Sequence, residues 1–458
     1  MRDDDKRSKA APATPASRNG TGDCGISRRA VLTGAAAGAL ALTADQAAAQ
    51  SWTDVLQGFG IGNGPLQRSE RPTAADELTD LRTGTVPWRS EEMLGMMDAA
   101  IARYERIVEQ GGWPRIAPGK MLRLDDDDDR VIQLKSRLGL SGDLRAAPGY
   151  FKSARFDERL EEAVRGFQEQ FGLRVTGRAD QPTLGQLAAP AQARLEQLKL
   201  NQRRIRELLQ GRIEDRYILV NTAAYQLEAV EAFEVRRRHR VIVGKPDRQT
   251  PNEKAMVRAL NFFPFWHVPD SVSNLDLIPR LRKEPDYLEK EHIRAYTPAG
   301  VELDRNTIDW RTADASRIKF KQDYGPWCAL GLVRIDMPNA DIVYMHDTPL
   351  KPLFKQRIRP FSAGCVRVEK VFELVEWIAR NEAGWDQPGR AQAIIDAGQP
   401  LDMNLTRQVP VYFTYITAWA EPDGRAVFRA DVYGRDGLRD LVGEKDNEAP
   451  PVQQMLAP

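Results

Sequence analysis

The spacing of the hydrophobic residues changes at Gly211, and this change constrains the fold more than any other feature of the chain. Before it, apolar residues recur every three or four positions over 91–210, a spacing that predicts amphipathic helices. After it, short runs rich in β-forming residues, such as 217–220 and 240–243, are separated by turn residues and predict strands. We therefore predict a multi-domain α+β protein in which helical segments precede a mainly-β domain over residues 212–440.

The helical part divides into three segments. Residues 91–128 contain one amphipathic helix that Gly111 and Gly112 end, and we interpret this segment as a helical scaffold. Residues 129–190 carry several short apolar faces and predict a compact helical domain. Residues 191–211 predict a helix that connects this domain to the strands.

The N-terminal residues have the pattern of an export signal. Arg28 and Arg29 precede an apolar run over 31–43, and small residues at 47–49 offer a cleavage site. That run is shorter than the roughly 20 residues that cross a bilayer as a helix. A disordered tail and a short membrane helix are the alternatives. We expect a twin-arginine-type signal peptide over 1–49, a periplasmic location, a flexible arm over 50–90 and a loose tail over 441–458.

The composition argues against several classes of partner. Lys and Arg number 66 against 65 Asp and Glu, so the formal net charge of +1 lacks the basic excess of a nucleic-acid-binding protein. Four His and three Cys, with no CxxC or HExxH pattern, predict no metal and no cofactor. The acidic run 125–129 lacks the Gly and distal Glu of an EF-hand loop, so we interpret it as a solvated loop or helix start. No apolar run approaches the roughly 18 residues of a membrane span, so we expect none after signal removal.

The candidate chemistry lies in two stretches, 344–349 and 362–368. A thiol is a good nucleophile only as thiolate, which a neighbouring cation or histidine stabilises, so His346 and Cys365 form the natural pair. Gly364 allows a close approach of the backbone, and adjacent amides can bind a developing oxyanion. Arg367 is two residues from Cys365 on the predicted strand, so both side chains face one side, where the arginine can stabilise the thiolate or bind a carboxylate.

Two cysteines remain once the predicted signal, with Cys24, is removed. We expect Cys328 to be a buried free thiol. The alternative is an oxidised Cys328–Cys365 bridge, which would mask the nucleophile in an oxidising compartment.

Two motifs resemble known families. The residues His346, Ser362, Gly364, Cys365 and Arg367 match the H…S-x-G-C-x-R signature of the L,D-transpeptidases with a YkuD-type catalytic domain. Further matches resemble the large Gram-negative, YcbB-like subgroup, and they lie at 111–114, 243–246, 266–269 and 346–349. The helical domain resembles the three-helix peptidoglycan-binding module, with a plain helical bundle as the alternative; its matching residues are Phe167, Gln168, Phe171, Gly172, Leu173, Thr176, Gly177 and Asp180.

The first resemblance implies a mainly-β catalytic domain with a lid over about 270–325. It implies that Cys365 attacks a tetrapeptide donor stem between its third and fourth residues and forms a thioester. An amine of diaminopimelate on a second stem then takes the acyl group, which gives a 3→3 cross-link. The same thiol chemistry implies inhibition by carbapenems.

The resemblance also implies residue roles. His346 would be the general base, and amides near Gly364 and Cys365 would form the oxyanion hole. Ser362 and Arg367 would support the motif loop or touch substrate. The candidate cleft-lining residues are Tyr344, Trp266 and Arg359. Three positions depart from the family pattern, namely Ala363 in place of His or Ser, and His267 and Cys328 where Asn is common.

Other functions remain open from the sequence. An L,D-carboxypeptidase would share the acyl-enzyme but use water as acceptor, and attachment of a protein to the wall would differ only in the acceptor amine. A catalytically silent cell-wall-binding protein is a further alternative, which the intact His346 and Cys365 pair disfavours.

Overall fold

The computed structural model describes residues 81–437. The predicted signal peptide 1–49, the predicted tail 441–458 and most of the predicted arm 50–90 lie outside the described residues. Within the described part, helices come first and strands follow, which confirms the prediction of a multi-domain α+β chain.

Five α-helices and one 3-10 helix lie between residues 91 and 208. They are α1 (Glu91–Glu109), α2 (Asp129–Ser141), the 3-10 helix Pro148–Lys152, α3 (Glu158–Gln170), α4 (Gln181–Ala188) and α5 (Ala191–Leu208). The predicted scaffold 91–128 is helical only through α1, because Gly111 and Gly112 adopt positive φ angles and Pro114 follows. In the acidic run, Asp128 accepts a hydrogen bond from the Arg130 amide and caps α2.

The motif of the helical domain builds the fold of that domain. Gln168 is fully buried on α3, and its side-chain oxygen accepts hydrogen bonds from the amides of Thr176 and Gly177. Its side-chain nitrogen donates to the carbonyl of Arg178. Asp180 caps α4 by accepting from the amide of Thr183. These motif residues therefore hold the loop between α3 and α4, and their hydrogen bonds are internal to the module.

Fifteen strands form three sheets in the described residues. In chain order they are β1 (Arg216–Asn221), β2 (Gln226–Glu231), β3 (Glu234–Gly244), β4 (Lys254–Phe262), β5 (Trp266–His267), β6 (Ile293–Tyr296), β7 (Glu302–Leu303), β8 (Lys319–Gln322), β9 (Val333–Asp336), β10 (Met345–His346), β11 (Pro360–Ser362), β12 (Val366–Val368), β13 (Leu401–Thr414), β14 (Ala418–Ala420) and β15 (Ala426–Phe428).

The nine-stranded sheet has the order β11-β3-β12-β10-β9-β4-β13-β1-β2. The long strand β3 pairs with β2 through its first part and with β12 and β11 near its end, so the sheet closes into a barrel. Helices α9 (Val371–Ala379) and α10 (Arg390–Ala397) add apolar side chains to the core of this barrel. Closure of the sheet fixes the relative positions of β9, β10 and β12, which carry the candidate site.

A second compact body, the lid, spans residues 266–330 between β4 and β9. It contains the four-stranded sheet β5-β8-β6-β7 and encloses the predicted lid over 270–325. Its helical elements are α6 (Asp270–Val272), a π-helical turn (Ser273–Leu277), α7 (Ile278–Leu281), α8 (Tyr287–Lys290) and the 3-10 turns Arg305–Thr307 and Ala315–Arg317. The lid has a hydrophobic core of its own, built around Trp266, Leu281 and Phe320.

The β14–β15 hairpin joins the catalytic part to the helices. Phe428 stacks on Phe171 of the helical domain with ring centroids 5.0 Å apart, and Trp88 packs edge-on against Trp419 at 5.4 Å. The scaffold, the helical domain and this hairpin share one hydrophobic core. No helix in the described ranges is long and apolar enough to cross a membrane.

Candidate active site

Strands β10 and β12 lie side by side and bring the predicted site residues together. They pair in parallel, with Met345 opposite Val366 and His346 opposite Arg367. Met345 and Val366 point into the barrel core. Because side chains alternate along a strand, Tyr344, His346, Cys365 and Arg367 point the other way, towards the lid.

His346 is a fully buried imidazole with a defined tautomer. Its Nδ1 lies 2.5 Å from the backbone oxygen of Asp347. Because a carbonyl oxygen only accepts, Nδ1 carries the ring proton and Nε2 is unprotonated. Burial lowers the pKa of His346 to about 3, and the charges of Arg367 and Lys351 contribute to the shift. The ring is therefore neutral at neutral pH and can accept a proton at Nε2.

Cys365 is also held in its neutral form. It is 8% exposed, and burial raises the pKa of its thiol to about 11. Hydrogen bonds from Tyr344 and the charges of Arg367 and Arg334 oppose this rise. Both shifts favour a neutral thiol and a neutral imidazole over a thiolate–imidazolium pair, and from that state the thiol loses its proton as it reacts.

Tyr344 contacts both groups. Its ring lies 5.7 Å from the His346 ring, centroid to centroid, at an angle of 65°. Burial raises the pKa of Tyr344 well above its ordinary value, the charge of Cys365 adds to the rise, and the charge of Arg334 opposes it. The phenol thus stays protonated and can donate to the sulfur of Cys365.

The motif loop is held by short hydrogen bonds from two directions. The Ser362 hydroxyl donates to the Cys365 carbonyl at 2.5 Å and accepts from the Gly364 amide at 3.2 Å. The hydroxyl of Thr250 donates to the Gly364 carbonyl at 2.7 Å. Gly364 has a φ of +127°, a conformation that L side chains rarely adopt.

These bonds bear on the predicted oxyanion hole. The Gly364 amide already donates to Ser362, so it is occupied in this conformation. The Cys365 amide donates to no acceptor in the described part of the chain. Of the two predicted donors, Cys365 is therefore the one available to an incoming carbonyl oxygen.

Arg367 is a buried cation beside Cys365. It is 1% exposed, and its Nε has no hydrogen-bond partner among the described residues. Burial lowers the pKa of Arg367 to about 10, and the nearby Cys365 opposes that change. A buried guanidinium with an unsatisfied N–H favours an anion in this site, whether the thiolate or a ligand carboxylate.

The other two candidate cleft-lining residues, Trp266 and Arg359, lie in different parts of the structure. Trp266 lies at the base of the lid and is fully buried, and its indole N–H has no hydrogen-bond partner among the described residues. Arg359 does not line the cleft, which corrects the prediction. It is buried, and its guanidinium donates to the backbone carbonyls of Val241, Gln356 and Tyr225, so it braces strand β3 and its neighbours.

Arg334 is a site residue that the sequence motifs did not indicate. It lies on β9 directly opposite His346, and its guanidinium is 5.7 Å from the Tyr344 ring centroid. The apolar Val333 and Ile335 on either side of Arg334 are typical of a strand. The H…S-x-G-C-x-R signature, however, contains no residue of β9.

The site is closed by the lid. His346, Arg367 and Trp266 are each at most 1% exposed. Arg248, from the loop after β3, forms a two-point ion pair with Asp276 of the lid at 2.5 and 3.1 Å. The same loop carries Thr250, so this ion pair connects the lid to the residue that holds the motif loop. Because Cys365 is only 8% exposed, we expect the lid to move before a peptide meets its sulfur.

Both described cysteines are free thiols. Cys328 lies in the lid core and donates to the carbonyl of Pro264 at 3.5 Å, as expected for a buried free thiol. Residues 81–437 contain no group of three or more His, Cys, Asp and Glu side chains that could hold a metal ion.

Comparisons with known proteins agree with this geometry. The model of the L,D-transpeptidase catalytic domain family, YkuD, matches residues 215–398. The model of the "Putative peptidoglycan binding domain" family matches residues 127–187. A curated relative from Haemophilus influenzae, named "Putative L,D-transpeptidase", is 33% identical over 220 residues, which are 48% of this chain and 44% of the relative. The chain thus spans less than half the length of that relative.

Among solved structures, the L,D-transpeptidase from Mycobacterium smegmatis is 14% identical, with a TM-score of 0.22, over 44% of this chain and 58% of that one. The catalytic domain from the E. faecium L,D-transpeptidase acylated by ertapenem is 13% identical, with a TM-score of 0.19, over 44% of this chain and 100% of that one. These overall likenesses are low, so the assignment rests on the two family models and the curated relative. The chain therefore carries an L,D-transpeptidase catalytic domain at residues 215–398 and a domain of the putative peptidoglycan-binding family at residues 127–187.

Proposed function

We propose that this protein forms 3→3 cross-links in peptidoglycan through a thioester on Cys365. The observation that carries the proposal is the neutral His346, whose unprotonated Nε2 lies on the strand next to a protonated Cys365 thiol. In an L,D-transpeptidase catalytic domain, this arrangement suits a base that takes the thiol proton during attack.

The acylation step follows from these roles. The Cys365 sulfur attacks the carbonyl of the third residue of a tetrapeptide donor while His346 Nε2 takes the thiol proton. The carbonyl oxygen becomes an oxyanion, which the Cys365 amide can bind and the Arg367 charge can stabilise. The C–N bond then breaks, the imidazolium gives its proton to the leaving D-alanine amine, and a thioester remains.

In the second step the acyl group is transferred to the acceptor amine, and protons move through His346 in the opposite direction. The acceptor amine of diaminopimelate attacks the thioester and loses a proton to His346. The C–S bond breaks, and the sulfur regains a proton from the imidazolium. The proposal of an amine acceptor rests on the match to the L,D-transpeptidase catalytic domain, since an acceptor stem and water would both need an open lid to reach the thioester.

The same thiol would open the strained lactam of a carbapenem. We propose carbapenems as inhibitors on this chemistry, since ring opening by Cys365 gives a stable acyl-enzyme. We also propose that residues 1–49 direct export and that the mature enzyme works on periplasmic peptidoglycan, because Arg28, Arg29 and the apolar run 31–43 form a twin-arginine-type signal.

Intact-mass spectrometry tests the proposed reaction. The mature protein should gain one acyl group from meropenem and one from a tetrapeptide donor, while Cys365→Ala gains neither. Adding a second stem should release the donor acyl group as a 3→3 dimer rather than as a free tripeptide. Release of tripeptide alone would favour the carboxypeptidase. A free Cys365 thiol that acquires no adduct would favour a silent binding protein.

A further inference from the structure

A row of polar side chains crosses the barrel sheet on the face that carries His346. The strand registers place Asp402 opposite Asn261, Asn261 opposite Arg334, and Arg334 opposite His346. His346 in turn lies opposite Arg367. Residues opposite one another in a sheet share a face, so the base has an arginine on either side.

The two arginines differ in access to solvent. Arg367 is 1% exposed, whereas the Arg334 side chain is 29% exposed. Arg334 is therefore the cation that an entering ligand meets before it arrives at His346 and Cys365.

Part of the Arg334 guanidinium is already engaged. Its Nε donates to the Asn261 oxygen at 3.0 Å, and Asn261 donates to Asp402 at 2.5 Å, so the guanidinium is held in one orientation. Its Nη2 lies 3.2 Å from Asp336. Nη1 has no protein acceptor in the described ranges, which leaves two N–H donors of a fixed arginine for a ligand.

The mouth of the cleft adds positive charge to this position. His267, from lid strand β5, is exposed, and its pKa is lowered by partial burial and by the charges of Lys321 and Arg334. Lys321 of the lid and Arg334 of the barrel both act on His267, while Asp336 and Asp402 are the opposing charges on the barrel side. The unpaired Nη1 of Arg334, rather than the summed charge, is therefore what favours a ligand oxygen there.

Resting on the proposed function, we infer that Arg334 Nη1 binds a carboxylate of the donor stem and makes the enzyme selective for stems that carry it. A tetrapeptide stem offers two such groups near the bond that breaks, the terminal D-alanine carboxylate and the free carboxylate of diaminopimelate. Both present two oxygens to a planar guanidinium, which is the geometry arginine recognises best.

The test compares donors with and without each carboxylate. The rate of thioester formation, as kcat/KM, is measured with the free acid, with a terminal carboxamide and with an amidated diaminopimelate. Wild type should prefer the free acid to one of the amides by about tenfold to a hundredfold, as expected for a charge-assisted hydrogen bond. The amide that loses the rate identifies the carboxylate. Arg334→Gln should abolish the preference, and Arg334→Lys should restore part of it.

Arg236→Gln is the matched control, because Arg236 is also a strand arginine paired with a carboxylate two residues away, Glu234 at 2.7 Å, but outside the site. It should keep the wild-type preference. A preference unchanged in Arg334→Gln would overturn the inference while leaving the proposed function intact. Equal rates for all three donors with wild type would overturn it too. Absence of any acyl-enzyme with wild type would overturn both.

Discussion

The ion pair between Arg248 and Asp276 should control access to the Cys365 thiol. It is a two-point contact at 2.5 and 3.1 Å, and the two side chains are only 13% and 9% exposed. It joins the loop after β3 to the lid, which has a separate core that packs against Tyr344 and Ala363, next to Cys365. We therefore expect Asp276→Asn to favour the open lid.

The magnitude follows from burial. Removing one member of a fully buried pair costs about 3–5 kcal/mol. Arg248 also lies 3.9 Å from the exposed Asp247, and asparagine keeps one acceptor, so we expect a smaller loss of about 2 kcal/mol in the closed state. Because about 1.4 kcal/mol is a factor of ten in an equilibrium constant, the open population should rise about 30-fold.

Alkylation of Cys365 by iodoacetamide, followed by intact mass and peptide mapping, measures that population. The reagent is small and uncharged, so its rate reports access rather than recognition. Asp276→Asn should react about 30-fold faster than wild type, by the same conversion of free energy into population. Asp270→Asn is the control, because Asp270 pairs with Lys319 at 2.7 Å within the lid and both side chains are well exposed. Equal alkylation of wild type and Asp276→Asn would refute the role of this ion pair.

Three further predictions concern the motif loop and the thiol. Ser362→Ala leaves the Cys365 carbonyl and the Gly364 amide without their buried partner, so urea unfolding should show a loss of about 1–3 kcal/mol; an unchanged midpoint would contradict this. Gly364→Ala should lower the free energy of unfolding by about 1–3 kcal/mol, because Gly364 has a φ of +127° that L side chains rarely adopt. An added Cβ would meet nothing closer than the Gln249 oxygen at 4.0 Å, so backbone strain rather than a clash is the expected cause, and Gly364→Ser should lose the same amount. Burial raises the pKa of Cys365 to about 11, so less thiolate exists below that pH and alkylation should rise about tenfold per unit from pH 7 to 10; a plateau below pH 8 would indicate a preformed thiolate–imidazolium pair.

The sequence was sufficient for those parts of the site that lie close together along the chain. His346 and Cys365 could be paired because the motif, the strand period and the chemistry of a thiol agreed. Ser362 and Gly364 belong to the same loop, and their structural roles follow from local hydrogen bonds. Their assignment required no knowledge of which strands are neighbours in the sheet.

Arg334 and Arg359 show what the sequence lacked. Arg359 is close to the motif in sequence, yet three backbone carbonyls bind its guanidinium and keep it outside the cleft. Arg334 precedes His346 by twelve positions and carries no motif, yet the antiparallel pairing of β9 and β10 places it opposite the base. The order of the strands and their register determine where Arg334 and Arg359 lie. Strand order and register cannot be obtained from the spacing of residues along one sequence.

The ionisation state of the site gives the lid a chemical role beyond access. Burial keeps both His346 and Cys365 neutral, so the closed enzyme has little thiolate to lose to oxidants or to alkylation. Opening hydrates the site and lowers the penalty for charge, but it also admits water that would hydrolyse a thioester. A donor whose bulk replaces water would keep the site dry, so His346 Nε2 would take the thiol proton during attack rather than before it. In the proposed reaction, the same burial that keeps the resting thiol protonated would limit the access of water to the thioester, so hydrolysis would compete with an amine only while the lid is open.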